Sequence, residues 1–299
     1  MSTLEELSDA LVQATNTASH YVVSVSGGTR FGASGVVWQP GVAVTTRSTL
    51  RRDDNLRVTL PDGATVPATI AGHDPGTDLA VLRFEGTTGT RSNLADSTKP
   101  GQVVLAVGRS ENTGLNVAMG VISAVGKPWQ TWQGGRIDAY LRLDINLYPG
   151  GSGAAVVTTG GELLGIASGS LSRIAPVSIP AATIERVVGQ ILARGRVARP
   201  WIGVAVQPVP IPSTLAEAAQ SVSHGLIVLG ADAETPAGKA GVLVGDILLS
   251  VGGVPVRDPM DLRAALAQHM AGETIQLTLL RGGERRELSV TLGERTGRH

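Results

Sequence analysis

The sequence contains no cysteine, which excludes disulfide bonds, thiolate catalysis and cysteine-based metal sites. Its formal net charge is zero and no basic run exceeds a few residues, so neither nucleic acid nor an anionic membrane surface is an expected partner. The first residues, MSTLEELSDALVQATNTAS, carry acids where a signal peptide carries positive charge, and no apolar run approaches transmembrane length. We therefore expect no membrane segment and a cytoplasmic location as written, or a periplasmic one if an N-terminal anchor has been removed.

The sequence contains 39 glycine residues, which separate many short runs of Val, Ile and Leu. Such runs at regular spacing, separated by turn signals like Pro61-Asp62-Gly63, are typical of β-barrels or sandwiches rather than of βαβ units. A length of 299 residues exceeds what one core commonly supports, so two or three domains are expected. The pattern predicts a mainly β protein.

Three longer helices, and a short one at PAGKAG, interrupt the strand pattern. Ser2 and Glu5 have the spacing of a capping box at the start of the first helix. The apolar face of that helix is predicted to contain Leu4, Leu7 and Leu11. The second helix, PAATIERVVGQILARG, is predicted to end at Gly195. The third is predicted to begin after Asp258, with Pro259 at its first position.

Seven stretches along nearly the whole chain resemble the HtrA/DegP family of serine proteases. In chain order they are GHDPGTDLAVL, MGVISAVG, DINLYPGGSGAAVV, GELLGI, VSIPAATIERVV, RPWIGV and SVGGVPV. The resemblance implies a trypsin-like double β-barrel followed by a small mixed α/β PDZ domain. It places the N-terminal helix and two six-stranded barrels in residues 1–196 and the PDZ domain in residues 197–299.

The turn PGGSGA holds Ser152 between glycines. A serine hydroxyl is a weak nucleophile at neutral pH and needs a neighbouring base, most often a histidine oriented by a carboxylate. By the resemblance, Ser152 matches the family's nucleophile and Asp78, in TDLAVL, matches its triad carboxylate. The backbone around Gly150 and Gly151 would then form the oxyanion hole.

The family's catalytic histidine has no counterpart, because the matching stretch is VTTRSTL and Ser48 stands at the position of the base. Elsewhere in the chain, the histidines are His20, His73, His224, His269 and His299. His73 lies nearest the site, five residues before Asp78, and we interpret it as a turn histidine. We expect the Ser48 hydroxyl or a water molecule to hydrogen-bond Asp78. The alternative is that Asp78 caps backbone N–H groups within GTDLA.

A peptide site is implied in the second domain, because a PDZ module adds a peptide to a sheet edge and binds its terminal carboxylate with backbone N–H groups. The residues implied by the resemblance are Arg199, Trp201, Ile202, Gly203, Val204, Leu262 and Leu266. Gly203 is expected because a carboxylate close to backbone amides leaves no room for a side chain. The alternative is that Trp201 and Ile202 only pack in a core and no peptide binds.

We interpret the chain as a degenerate HtrA-like protease, a pseudoprotease of protein quality control that uses no cofactor or metal. Its partners would be peptides or unfolded-protein C-termini, bound by the PDZ domain and by the idle protease cleft. One alternative is an active HtrA-type serine endopeptidase whose base is unrecognised or supplied by a partner chain. A second is a structural subunit of a larger assembly. The resemblance also implies a homotrimer, for which Tyr21 and the preceding helix are the expected contact residues.

Overall fold

The computed structural model describes residues 2–28, 32–86, 91, 93–95, 97–220 and 222–294, so that His299 lies outside the described residues. The chain divides into two compact units, Met1–Val197 and Ala198–His299. Within the described residues, no helix combines the length and the apolar character needed to cross a lipid bilayer.

The first unit begins with a closed six-stranded barrel. Its strands are β1 (Val22–Ser26), β2 (Ala33–Gln39), β3 (Val42–Thr46), β4 (Leu56–Thr59), β5 (Thr65–Asp74) and β6 (Leu79–Phe84). Around the barrel they follow the order β1-β2-β3-β6-β5-β4, and every pair is antiparallel. Valine and leucine side chains from these strands fill the interior, as the short apolar runs predicted.

A second closed barrel follows in the order β11-β14-β13-β12-β7-β8. Its strands are β7 (Val103–Ser110), β8 (Gly114–Gly126), β11 (Tyr140–Asp144), β12 (Ala155–Thr158), β13 (Leu163–Ser168) and β14 (Val177–Pro180). A two-stranded ribbon, β9 (Trp129–Gln130) with β10 (Arg136–Ile137), lies between β8 and β11 along the chain. The two barrels confirm the predicted mainly β fold.

Helix α1 (Thr3–Ser19) confirms the predicted capping box, because the Glu5 N–H donates to Ser2 Oγ and the Ser2 N–H donates to Glu5 Oε2. The predicted apolar face is right only at Leu11, which packs partly buried against the core, since Leu4 and Leu7 are exposed and the buried residues are Ala14 and Ala18. Alanine lets the last turns of the helix lie close to β7 and β12, which no leucine periodicity indicates.

Tyr21 corrects a second expectation. This tyrosine follows α1 directly and was expected to contribute to a trimer contact. Its side chain is 1% exposed and belongs to a hydrophobic core that includes residues of both barrels. In the single chain it therefore packs internally and offers no surface to a partner.

Helix α2 (Ala181–Arg194) follows the prediction closely. Its buried face contains Ile184, Val187, Val188 and Ile191. The helix ends at Gly195, whose φ of 72° is the left-handed conformation that glycine adopts without steric cost.

The second unit is built on one twisted sheet with the path β16-β17-β18-β20-β21 and with β19 added beside β18. The strands of this sheet are β16 (Val204–Pro210), β17 (His224–Ala231), β18 (Ile247–Val251), β19 (Val254–Pro255), β20 (Thr274–Arg281) and β21 (Glu284–Thr291). A separate two-stranded ribbon joins β15 (Pro200–Trp201) to β22 (Gly293–Glu294). The helices of this unit are α3 (Pro236–Lys239) and α4 (Pro259–Leu266). As predicted, Asp258 caps α4 by accepting from the Met260 and Asp261 N–H groups.

Candidate functional site

Ser48 and Asp78 lie side by side because of the register between two strands of the first barrel. β3 and β6 pair Thr46 with Leu79, and beyond that pair the Arg47 N–H donates to the Asp78 carbonyl oxygen at 2.9 Å. Ser48 follows in a short 3₁₀ turn. Asp78 itself has a φ of 57°, a left-handed conformation that aspartate tolerates better than most residues.

The Asp78 carboxylate is 4% exposed and accepts four hydrogen bonds. The Ser48 N–H donates to Oδ1 at 2.8 Å. Oδ2 accepts from three hydroxyl groups, those of Ser48 at 3.1 Å, Ser168 at 2.7 Å and Ser170 at 2.6 Å. A buried carboxylate is costly unless it is hydrogen-bonded, and these donors compensate for the lost water. Three serine hydroxyls surround the oxygen to which a triad histidine would donate.

The predicted hydrogen bond between Ser48 and Asp78 is therefore present. The alternative, in which Asp78 caps the GTDLA backbone, does not match the contacts, because the backbone donor to its carboxylate is the Ser48 N–H. The turn is instead shaped by Asp74, which accepts from the Gly76 N–H at 3.2 Å and from Thr77 Oγ1 at 2.9 Å.

Sequence reasoning missed two members of this cluster, Ser168 and Ser170. They come from the end of β13 in the second barrel, 90 and 92 residues from Asp78. The stretch ASGSLS, which follows a predicted strand, is a detectable signal of a polar strand end. It does not indicate which carboxylate these hydroxyls contact.

The Ser152 loop is fixed by Ser34 of β2. The Ser34 N–H donates to the Ser152 carbonyl oxygen at 3.1 Å, and Ser34 Oγ donates to the Gly150 carbonyl oxygen at 2.9 Å. Gly153 passes so close to this strand that an added Cβ would lie 2.0 Å from the Ser34 carbonyl oxygen, and its φ is 87°. The glycines of PGGSGA therefore allow the nucleophile loop to approach β2 closely.

The backbone donors of this loop are partly used. Gly151 donates its N–H to the Tyr148 carbonyl oxygen at 2.7 Å, so that N–H is not available to a ligand. Within the part of the chain that the structure describes, the N–H groups of Gly150 and Ser152 donate to no protein acceptor. Gly150 and Ser152, rather than Gly151, are thus the candidate oxyanion donors.

The Ser152 hydroxyl accepts one long hydrogen bond, from the Gly169 N–H at 3.4 Å. An amide N–H is a donor and cannot remove the hydroxyl proton. His73, which was interpreted as a turn residue, lies instead within β5 opposite Ala80, and it is not among the donors to the Asp78 carboxylate. The structure thus brings Ser48 and Asp78 together, and the described contacts connect no histidine to either Asp78 or Ser152.

The loop implied as the carboxylate site of the second unit lies between β15 and β16. The Ile202 side chain is 1% exposed and belongs to the core, while its carbonyl oxygen accepts from the Ala237 N–H at 2.7 Å. Among the described residues, the N–H groups of Ile202 and Gly203 have no protein acceptor. Ile202 can therefore serve a ligand through its backbone and not through its side chain.

Glycine is required at position 203 by packing and by backbone conformation. Its φ is 78°, and an added Cβ would lie 2.4 Å from the Thr235 Cβ and 2.9 Å from the Trp201 ring. Packing and backbone conformation thus demand glycine even when no carboxylate is bound.

The remaining groove residues flank β16. Leu262 and Leu266 of α4 are each 7% exposed, in a core against which Val204 and Val206 also pack. Because α4 contacts β16, these side chains give the space between helix and strand an apolar floor.

Arg199 lies immediately before β15, where Trp201 pairs with Gly293. That pair and the others of this unit leave one edge of β16 unpaired within the described residues.

Comparison with known proteins covers both units. A model of the trypsin-like peptidase domain matches residues 33–166, and a model of the PDZ domain matches residues 200–292. A protein of Brucella suis described as a probable periplasmic serine endoprotease, DegP-like, is 33% identical over 271 residues, which cover 87% of this chain and 52% of the relative. The chain thus spans about half the length of the curated relatives it matches. Their description as periplasmic gives no support to the cytoplasmic location expected from the first residues.

Solved structures match along most of the chain. The serine endoprotease from Yersinia pestis is 30% identical, with a TM-score of 0.74, and the match covers 96% of this chain and 98% of that one. The HtrA-type protease AlgW with a decapeptide is 27% identical, with a TM-score of 0.76 and coverage of 96% and 99%. These matches confirm the double barrel and the small mixed unit that follows it.

Proposed function

The chain belongs to the HtrA family of serine proteases, which join a trypsin-like peptidase domain to a PDZ domain, and on that basis we propose that it is a degenerate member that binds peptides without cleaving them. The observation that carries this proposal is the set of serine hydroxyls on Asp78, among them Ser48 at the position of the family's base. The described contacts give Ser152 no partner that could take its proton.

The expected loss of activity follows from the chemistry of the triad. A hydroxyl does not accept a proton at neutral pH, and a carboxylate alone is a weak base towards an alcohol. Removing the base of a serine triad lowers turnover by about 10⁶, and roughly 10³ to 10⁴ over water remains from the oxyanion hole and substrate binding. For an amide bond, this residual rate is too slow to support a protease function.

Peptide recognition is supported by the second unit. The free N–H groups of Ile202 and Gly203 lie at the start of an edge strand, and together they suit a peptide carboxylate followed by an added strand. The apolar floor beside Val204 and Val206 favours apolar residues at the peptide terminus. A structurally similar HtrA-type protease has been solved with a decapeptide, which supports the same class of ligand for this chain.

The protease cleft supports a second contact with extended chains. Ser34 holds the loop, and the N–H groups of Gly150 and Ser152 are free to donate to a peptide carbonyl. Binding of a carbonyl needs these donors but no base. This intact loop also favours the alternative function, an active endopeptidase with a base from outside the described contacts.

The peptide-binding proposal predicts a dependence on the terminal carboxylate. A Ser/Gly-rich decapeptide ending in Ala-Val-Val should bind the Ser152→Ala chain at least ten-fold more tightly than its C-terminal amide, because charge-assisted hydrogen bonds to backbone N–H groups are stronger than neutral ones. Isothermal titration calorimetry measures both affinities, and Ser152→Ala excludes cleavage during the titration. Equal affinities would exclude recognition of the terminal carboxylate, and binding of neither peptide would favour the structural-subunit alternative.

A further inference from the structure

The unpaired edge of β16 carries two prolines, Pro208 and Pro210, within a strand of seven residues. An added peptide pairs with an edge strand through N–H and C=O groups that point outward, and proline has no N–H. The direction in which these two nitrogen atoms point therefore decides how much of the edge a peptide can use.

Two sets of hydrogen bonds fix that direction. Just beyond the pair of Pro210 with His224, the Ile211 N–H donates across the ladder to the Ser223 carbonyl oxygen at 2.9 Å. On the other side of β17, Val228 directs both backbone groups towards β18, donating to Asp246 at 2.8 Å and accepting from Gly245 at 2.9 Å. Because the direction alternates from residue to residue, odd-numbered residues of β16 face β17 and even-numbered residues face the free edge.

The alternation is not interrupted within β16. The register shift between Ala205 and Val206 skips Leu229, so the extra residue of the bulge lies on β17. Pro208 and Pro210 consequently direct their nitrogen atoms outward, as prolines of edge strands commonly do. In β16, all of whose residues are described, the outward N–H groups are those of Val204 and Val206.

The positions of the two prolines determine how many residues of a peptide can pair with the free edge of β16. This step rests on the peptide-binding function proposed above. A peptide whose carboxylate meets the Ile202 and Gly203 N–H groups runs antiparallel to β16, with its last residue opposite Val204. The third residue from its end then lies opposite Val206, and the fifth lies opposite Pro208, where a ring methylene replaces the donor.

We propose that the prolines limit recognition to the last three or four residues of the bound C-terminus, while the preceding residues leave the sheet edge. The site would then accept many chains that share a short apolar terminus. Selectivity would come from the terminal residues over Val204 and Val206 rather than from an extended strand.

The test is a length series on the full chain carrying Ser152→Ala. The probe is the decapeptide ending in Ala-Val-Val, with truncations to its last eight, six and four residues. Calorimetry should give dissociation constants that agree within about two-fold across the series. In Pro208→Val the tetrapeptide should keep its affinity, while the octapeptide should bind about five- to ten-fold more tightly, because the valine supplies the missing N–H donor and removes the ring methylene that holds the peptide off the edge. Gln207→Val is the matched control, since it raises β-propensity at a residue whose N–H faces β17.

N-methylation of the decapeptide gives a second measurement that needs no protein variant. Methylation of the third residue from the end should weaken binding at least ten-fold, and methylation of the fifth should leave it unchanged. Affinity that rises steadily with length in the unmodified chain, or a strong loss from methylation of the fifth residue, would overturn the proposal. Failure of every peptide to bind would instead remove the peptide-binding function, and this inference with it.

Discussion

A double variant, Ser48→His with Ser170→Ala, is expected to cleave unfolded casein at least a hundred-fold faster than the wild-type chain. The expectation rests on the backbone at position 48, whose N–H already donates to Asp78 Oδ1 at 2.8 Å. This contact holds the Cβ of residue 48 beside the carboxylate. An imidazole attached there has Oδ2 within its reach and can accept the proton of Ser152.

Ser170 must be removed with the same change because its hydroxyl occupies Oδ2 at 2.6 Å, the shortest hydrogen bond in the cluster. Ser48→His alone is expected to give a smaller gain, since the imidazole competes with this hydroxyl for the same oxygen. The gain stays well below the factor of about 10⁶ that an intact triad provides, because the rest of the site has not been adjusted to a histidine.

Two controls accompany the double variant. Ser48→Gln with Ser170→Ala has a side chain of similar size without a base and should remain inactive. Adding Ser152→Ala to the histidine variant should abolish the gain. A folded histidine variant that is no faster than the glutamine control would show that the carboxylate and the Ser152 loop no longer form a catalytic arrangement.

Replacing Asp78 by alanine is expected to destabilise the first unit by about 3 to 5 kcal/mol, because each buried donor left without an acceptor costs about 1 to 3 kcal/mol. The change leaves the Ser48 N–H and three hydroxyl groups without their acceptor. It also places alanine at a φ of 57°, which aspartate or asparagine tolerates better. Because the Asp78 carboxylate accepts hydrogen bonds from residues of both barrels, removing it weakens the contact between β3 and the end of β13.

Hydrogen exchange of the β3 and β6 amides in the native protein measures this effect within the first unit, without assuming that the whole chain unfolds in one step. Asp78→Asn should lose about half as much stability, since asparagine tolerates the same backbone conformation and keeps one side-chain oxygen as an acceptor. Asp53→Ala is the matched control: Asp53 forms an exposed ion pair with Arg47 at 3.3 Å and should cost no more than about 0.5 kcal/mol. A loss in Asp78→Ala as small as in this control would contradict a structural role for the carboxylate.

The sequence predicted those parts of the molecule that short-range rules determine. The capping box at Ser2, the helix stop at Gly195 and the cap at Asp258 each depend on a few neighbouring residues, and each is present. The positions of Ser48 and Asp78 came from the family resemblance, and the register of β3 with β6 explains why the two residues meet.

The parts that the sequence did not predict depend on long-range packing. Ser168 and Ser170 reach Asp78 across the two barrels, a contact that no spacing within either barrel indicates. Tyr21 was expected at a surface and is buried, because the chain enters the first barrel at that residue. Gly203 was assigned to ligand binding, although Thr235 and Trp201 already leave no room for a side chain.

The described contacts give Ser152 no activating base, and the first measurement is the rate of casein digestion by the purified wild-type chain beside Ser152→Ala. We expect the same rate for both proteins, at the level of buffer alone, while an active serine protease in the same assay digests the substrate. Digestion by the wild type that disappears in Ser152→Ala would contradict this expectation. A base would then exist, and His73 would be the first residue to replace.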